Sequence, residues 1–318
     1  MCSLRHTLAA VLAAAVLSIV VAISAIPAIA RGDALFVMNY GGGTIGEYTT
    51  SGATVNPALV SGLISPRAIA VSGSDLFVTS VNGTIGEYTT SGATVNASLI
   101  SGLNNPFGIA VSGSDLFVTN DGNGLNGSGT IGEYTTSGAT VNASLISGLN
   151  APFAIAVSGS DLFVSKLNGN PSDTISEYTT SGATVNASLI SGLSYPGGIA
   201  VVGSNLFVTN FLGNTIGEYT TSGATVNASL ISGLIRPLAI AVSGSDLFVT
   251  NTGTNSANGT IGEYTTSGAT VNASLITGLD DPQGSVVVPV PEPATSLLVM
   301  GGVLGLAVER RRRAFLSA

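Results

Sequence analysis

Apolar residues fall in short runs of about three to six positions along most of this chain, broken by glycine, proline, serine or asparagine. Ile109-Ala110-Val111, Leu116-Phe117-Val118 and Ile131-Gly132-Glu133-Tyr134 have the length and the β-branched or aromatic content of strands. Ser112-Gly113-Ser114-Asp115 and Ser137-Gly138 punctuate them as turns. The pattern predicts a four-strand unit: strand a at Ile109–Val111, b at Leu116–Val118, c at Thr130–Thr135 and d at Ala139–Ile146.

That unit recurs. The phrase Ile-Gly-Glu-Tyr-Thr-Thr-Ser-Gly-Ala-Thr-Val-Asn begins at Ile45, Ile85, Ile131, Ile175, Ile216 and Ile261, with Ser176 as its one change. The steps are 40, 46, 44, 41 and 45 residues. A period in the low forties with four short strands is a propeller blade rather than a solenoid coil. The ends of the array predict closure. The first copy starts at strand b, Ala34-Leu35-Phe36-Val37, and the last continues past strand d into Pro282-Gln283-Gly284-Ser285-Val286-Val287-Val288. The final valine run supplies the missing a strand. The fold class expected is therefore all-β: a six-bladed β-propeller of four antiparallel strands per blade over residues 31–290, with the first blade closed by the C-terminal strand.

The blade resembles the NHL family of propellers, which shares the Ile-Ala-Val strand, the Leu-Phe-Val strand and the Ile-x-x-aromatic strand seen here. The resemblance covers residues 34 to 289 and implies fold far more than function.

The two ends read as addresses outside that fold. Arg5 and His6 precede an apolar run from Leu8 to Ile26, and Ala28-Ile29-Ala30 follows as a small-x-small cleavage site. Residues 1–30 are expected to be a signal peptide cut after Ala30. At the other end, Pro291-Glu292-Pro293 leads into an apolar span, 294–308, and then Arg310, Arg311, Arg312 and Arg313. Fifteen residues make about 22 Å of helix, short for a bilayer core of about 30 Å. The arginines should hold that end in the cytoplasm. Residues 291–318 resemble the PEP-CTERM sorting tail of Gram-negative bacteria, with Gly301, Gly302 and Gly305 in the span. The resemblance implies removal by an exosortase-type protease and delivery to the cell surface or extracellular matrix after transient inner-membrane anchoring.

Composition limits the chemistry. Only 8% of residues are charged and 45% are hydrophobic, with 42 glycines, as suits strands buried on both faces. The single cysteine is Cys2 and the single histidine His6, both in the expected signal peptide. The mature chain then has no Ser-His-Asp triad, no cysteine nucleophile and no histidine-ligated metal. Residues 31 to 290 hold fifteen acids and four bases, about −11, a poor match for nucleic acid or an anionic membrane surface. Membrane contact is expected only through the tail.

Differences among the six copies gather in the d-to-a links and the b-to-c loops, which a propeller presents on one face. Arg67, Lys166 and Arg236 lie there with Phe107, Phe153, Tyr195 and Phe211, and Tyr40 joins them. The seven other than Tyr40 are the candidate ligand-binding face. The repeated glutamates (Glu47, Glu87, Glu133, Glu177, Glu218, Glu263) are expected to have a structural role, such as accepting backbone hydrogen bonds from a neighbouring blade, since the axis belongs to strand a, which has no acid. No metal site is expected. A weak calcium loop at Asp121, Asn123 and Asn126 lacks the alternate-position pattern and the downstream glutamate. The Asn-Ala-Ser sequons belong to the repeat.

The sequence therefore points to an exported, non-catalytic propeller with no cofactor, binding an exopolysaccharide or matrix protein or serving as a structural component. The alternative is a metal-dependent hydrolase or lactonase that would use Asp121, Asp173, Asp280 or Asp281 on the variable face.

Overall fold

The computed structural model describes residues 33–289 except 123–126, 170–171 and 256. The expected signal peptide with Ala28 and Ala30, the Pro291–Pro293 motif, the 294–308 span and the arginine run all lie outside the described residues. Six four-stranded antiparallel sheets make up the rest, each in the order a–b–c–d. In the second blade these strands are Pro66–Ser72, Asp75–Ser80, Thr84–Thr89 and Thr94–Ile100.

Closure follows the expected permutation. The C-terminal strand Pro282–Val288 pairs antiparallel with Ala34–Asn39, matching Leu35 to Val287 and Val37 to Ser285. It supplies the inner strand of a blade whose other members, Thr44–Thr49 and Thr54–Val60, come from the start of the array.

The core lies between blades. Six apolar clusters each join one blade to the next, and the cluster joining the sixth blade to the first is built from the same residue types as the others. In the third-to-fourth cluster, Phe117, Ile131 and Ile146 meet Leu162, Val164 and Tyr178. The six strand-b phenylalanines are at most 1% exposed. A Leu-Phe-Val strand is apolar on both faces because each face meets a different neighbour.

Hydroxyls lock the inner strands together. Strand a slips register just after its proline in the second to sixth blades, for example between Pro66 and Ala68 and between Pro106 and Ile109. The hydroxyl of Thr119 accepts the Gly108 amide at 2.7 Å and donates to the Phe153 carbonyl of the next blade at 2.7 Å. Thr79 makes the same bridge from Ala68 to Phe107, and Thr209 from Gly198 to Leu238.

Strand boundaries differ from the sequence reading in two ways. Strand a begins three residues earlier, at the proline, so Arg67, Phe107 and Phe153 belong to the strand and not to the link. Strand d runs to Leu149, Leu193 and Leu279 in the third, fourth and sixth blades. There a strand c that starts one residue sooner gives it an extra pair, such as Gly129 with Leu149.

The outer strand also explains the sequons. Its register breaks between Ile131 and Glu133, and Asn142 Oδ1 accepts the Ser144 amide inside that bulge at 3.1 Å. The same bond recurs from Asn96 to Ser98, Asn186 to Ser188, Asn227 to Ser229 and Asn272 to Ser274. A bulged edge with self-satisfied amides is a poor template for pairing with another chain.

Candidate functional site at the channel mouth

The links and b-to-c loops share one face and are bonded to each other in every blade. Tyr40, Val81, Asp121, Leu167, Phe211 and Thr252 donate their amides to the carbonyls of Asp281, Ser65, Asn105, Ala151, Tyr195 and Arg236. Each accepting residue precedes the strand-a proline and has positive φ, from 34° at Ala151 to 55° at Asn105 and Tyr195. That conformation suits Asn and Asp but is strained for Tyr195 and Arg236. Both are clamped. Asp173, buried, accepts the Tyr195 amide through Oδ2 at 2.9 Å, and Asn214 Oδ1 accepts the Arg236 amide at 2.9 Å.

The six inner strands enclose an axial cavity of about 170 Å³. Its wall is layered. Nearest the links stand Arg67, Phe107, Phe153, Gly197, Leu238 and Gln283. Below them comes a ring of alanines and glycines, then a ring of five isoleucines and Ser285. The small residues are required by close approach: a Cβ at Gly108 would meet the Phe153 carbonyl at 2.6 Å, and one at Gly197 would strike the Leu238 carbonyl. No carboxylate lines this wall.

Around one side of the mouth runs a continuous stripe of rings. Phe107 and Phe153 have centroids 4.7 Å apart, Phe153 and Tyr195 5.8 Å edge-on, and Tyr195 and Phe211 5.3 Å. A guanidinium closes each end: Arg67 lies 3.6 Å from the Phe107 centroid and Arg236 5.9 Å from that of Phe211. Six of the seven face residues expected from sequence thus form one connected surface drawn from the second to the sixth blades.

Lys166 does not join them. At the end of strand b in the fourth blade, its side chain runs within the blade and Nζ donates to the Ala187 carbonyl at 3.0 Å. Ser176, the one break in the repeated phrase, donates to the same carbonyl at 2.7 Å. The two departures from consensus in this blade are therefore partners, and Lys166 serves the blade instead of the face.

Electrostatics concentrate at Arg67. Partial burial holds its guanidinium below the usual range, opposed by the fields of Tyr40, Asp121 and Tyr195. Burial likewise pushes the Tyr195 phenol up, against the pull of Arg67. Arg67 Nε and Asp121 Oδ1 are both shut off from solvent without a hydrogen-bond partner, while Asp121 Oδ2 accepts from Asn105 at 3.1 Å. A buried group left unpaired costs about 1–3 kcal/mol, so a donor and an acceptor stand unanswered in one field.

Of the other acids on this face, Asp173 and Asp281 are occupied and Asp280 is exposed. Asp173 bonds Gly169 and Tyr195, and Asp281 accepts from Gln283 at 2.9 Å. Asn123 and Asn126 of the weak calcium loop lie outside the described residues. No group of three or more candidate metal ligands occurs among the described residues. The repeated glutamates behave differently from expectation. Where a bond to one is resolved it comes from its own blade, Asn205 Nδ2 donating to Glu218 Oε1 at 2.8 Å. In four other blades an aspartate stands where Asn205 does, and its field raises the glutamate pKa further after burial has done so. Sequence spacing did not reveal these carboxylate pairs, since only strand register brings together residues 12 to 18 apart.

Solved structures show the same architecture. A chain from a nidogen–laminin complex superposes with a TM-score of 0.66 at 16% identity, covering 80% of this chain and 98% of that one. The fold is that of an NHL-like six-bladed propeller. A streptogramin B lyase matches at 0.57 with 22% identity over 82% and 88% of the two chains. A gluconolactonase from Xanthomonas campestris matches at 0.55 with 14% identity over 81% and 83%. No family model and no curated protein matches the sequence. Enzymes and non-enzymes thus share the NHL-like propeller, and at such identities the likeness is one of fold alone.

Proposed function

We propose that this chain is an exported, non-catalytic propeller that binds a polysaccharide or a protein partner at the cell surface or in the extracellular matrix. The observation that carries the reading is the stripe from Arg67 through Phe107, Phe153, Tyr195 and Phe211 to Arg236, set over a channel wall without a carboxylate. Aromatic rings packed against one another, two of them on strands and Tyr195 on a clamped link, suit binding better than turnover. A metal-dependent hydrolase or lactonase would need acids converging on the channel. Asp173 and Asp281 are instead engaged in holding the links. The chain of this fold in a nidogen–laminin complex is compatible with a protein partner. Export rests on the signal sequence before Arg31, and surface delivery on an exosortase acting at Pro291-Glu292-Pro293.

The test is capture of extracellular polymers by the immobilised full chain. The Phe107→Ala/Phe211→Ala double variant should lower capture about tenfold or more while leaving the melting temperature within a few degrees. Equal capture by the double variant refutes the site. Lactone or ester turnover that appears on adding a divalent metal refutes the non-catalytic reading.

A further inference from the structure

Resting on the reading of this face as the one that binds, we infer that the axial cavity is a site for an apolar carboxylate. One ring or branched chain lies down the channel, and the carboxylate sits at the mouth on Arg67. Two sources offer that chemistry: a free small aromatic acid and the C-terminal residue of a protein partner.

The cavity sets the size and polarity of the group. Its volume of about 170 Å³ admits one six-membered ring, since about 150 Å³ suffices for benzene. Below the mouth the wall is alanine, glycine and isoleucine, with Ser285 in the deepest layer. The backbone there is already answered. Thr79, Thr119 and Thr209 bond the amides of Ala68, Gly108 and Gly198 and the carbonyls of Phe107, Phe153 and Leu238. Ser285 accepts from Thr250 at 3.0 Å. A hydroxylated group would give up its water here for few partners, whereas a hydrocarbon gains by burial.

Arg67 sets the charge. Among the described residues it is the only charged side chain on this wall. Half-buried and 3.6 Å from the Phe107 centroid, its guanidinium has no hydrogen bond and no ion pair among the described residues. Nε is closed to solvent, but the two terminal nitrogens are not. They present the edge of the fork that takes a carboxylate through two parallel bonds. Asp121 lies off the wall with Oδ2 held by Asn105 at 3.1 Å, so its field tempers the guanidinium without pairing with it. A partly desolvated cation without a counter-ion favours an anion over a neutral or cationic group.

Calorimetric titration of the full chain tests this with phenylacetate, phenylacetamide, acetate and biphenylacetate. A tetrapeptide ending in phenylalanine, and the same peptide as its C-terminal amide, separate the two sources. Phenylacetate, the free-acid peptide or both should bind, about tenfold or more tighter than the matching amide. Tighter binding of phenylacetate identifies a free acid, and tighter binding of the peptide a protein C-terminus. Acetate lacks the ring and biphenylacetate exceeds the channel, so each should bind about tenfold or more weakly than the better acid. Arg67→Met and Arg67→Lys should each weaken that acid about tenfold with the fold intact by circular dichroism, because neither keeps the planar fork. Lys166→Met, which removes a cation away from the mouth, should not. Equal binding of acid and amide, unchanged acid binding in Arg67→Met, or biphenylacetate binding as tightly as the better acid overturns the assignment. If no acid binds but polymer capture persists and depends on Phe211, the cavity assignment is wrong and the broader binding reading stands. If neither acid nor polymer binds, both fall.

Discussion

Removing the closing strand is the severest test of the architecture. Two truncations bracket it: one after Pro289, which leaves every described strand, and one after Asp281, which deletes Pro282–Val288 alone from the folded body. The second loses a ladder of six paired positions against Ala34–Asn39. At about 0.5–1.5 kcal/mol net per hydrogen bond, that is about 3–9 kcal/mol. It also loses Val287, buried against Leu35 and Val37, worth about 1.5–3 kcal/mol. The Ser285 hydroxyl that accepts from Thr250 of the sixth blade at 3.0 Å goes too. The total is on the order of 5–13 kcal/mol, comparable with the whole stability of a domain at about 5–15 kcal/mol. Thermal unfolding followed by circular dichroism should show the Pro289 form melting normally and the Asp281 form unfolded, or lower by tens of degrees. Equal melting temperatures would show that the ring does not close through this strand.

Three further outcomes follow from particular residues. Glu87, Glu133, Glu177 and Glu263 all have pKa values raised in the folded state, first by burial and then by their aspartate neighbours, so their stabilising contribution is full below the unfolded value and is lost as pH rises through the folded one. The melting temperature should therefore rise as pH falls from neutral toward the ordinary glutamate range, and less so in an Asp75→Asn/Asp115→Asn/Asp161→Asn/Asp246→Asn variant; a fall over that range contradicts the pairing. Lys166→Met should cost about 0.5–1.5 kcal/mol through the lost bond to Ala187, yet leave polymer capture unchanged, and reduced capture at equal stability would return Lys166 to the binding face. In the native host, replacing Arg310–Arg313 should leave the propeller folded but misrouted, read by mass spectrometry of surface and inner-membrane fractions; an intact arginine-bearing C-terminus on the surface material would refute sorting.

The blade count and the closure were legible in the sequence, because a near-identical phrase recurring every 40 to 46 residues leaves few architectures and the valine run after Pro282 completes the first copy. Variation among copies picked out six residues that the structure joins into one surface, since positions that no core cluster constrains are free to differ. Lys166 escaped that logic. A loop-end lysine has the length to turn back across its own blade, and only the companion change at Ser176 hinted that it does. The register slip that draws Arg67, Phe107 and Phe153 into strand a was also hidden, because a proline ahead of two variable residues reads as a link. Local sequence was likewise silent on the clamps Asp173 and Asn214, which act on residues 22 positions away.

The central claim is that the face bearing the links and the b-to-c loops is the one that binds. Hydrogen–deuterium exchange of the full chain, with and without the extracellular polymer it captures best, tests that most directly. The account predicts slowed exchange in the segments around Arg67, Phe107, Phe153, Tyr195, Phe211 and Arg236, with the Thr-Thr-Ser-Gly turns of the opposite face unchanged. Protection confined to those turns, or to the outer strands bearing Asn96 and Asn142, would contradict it.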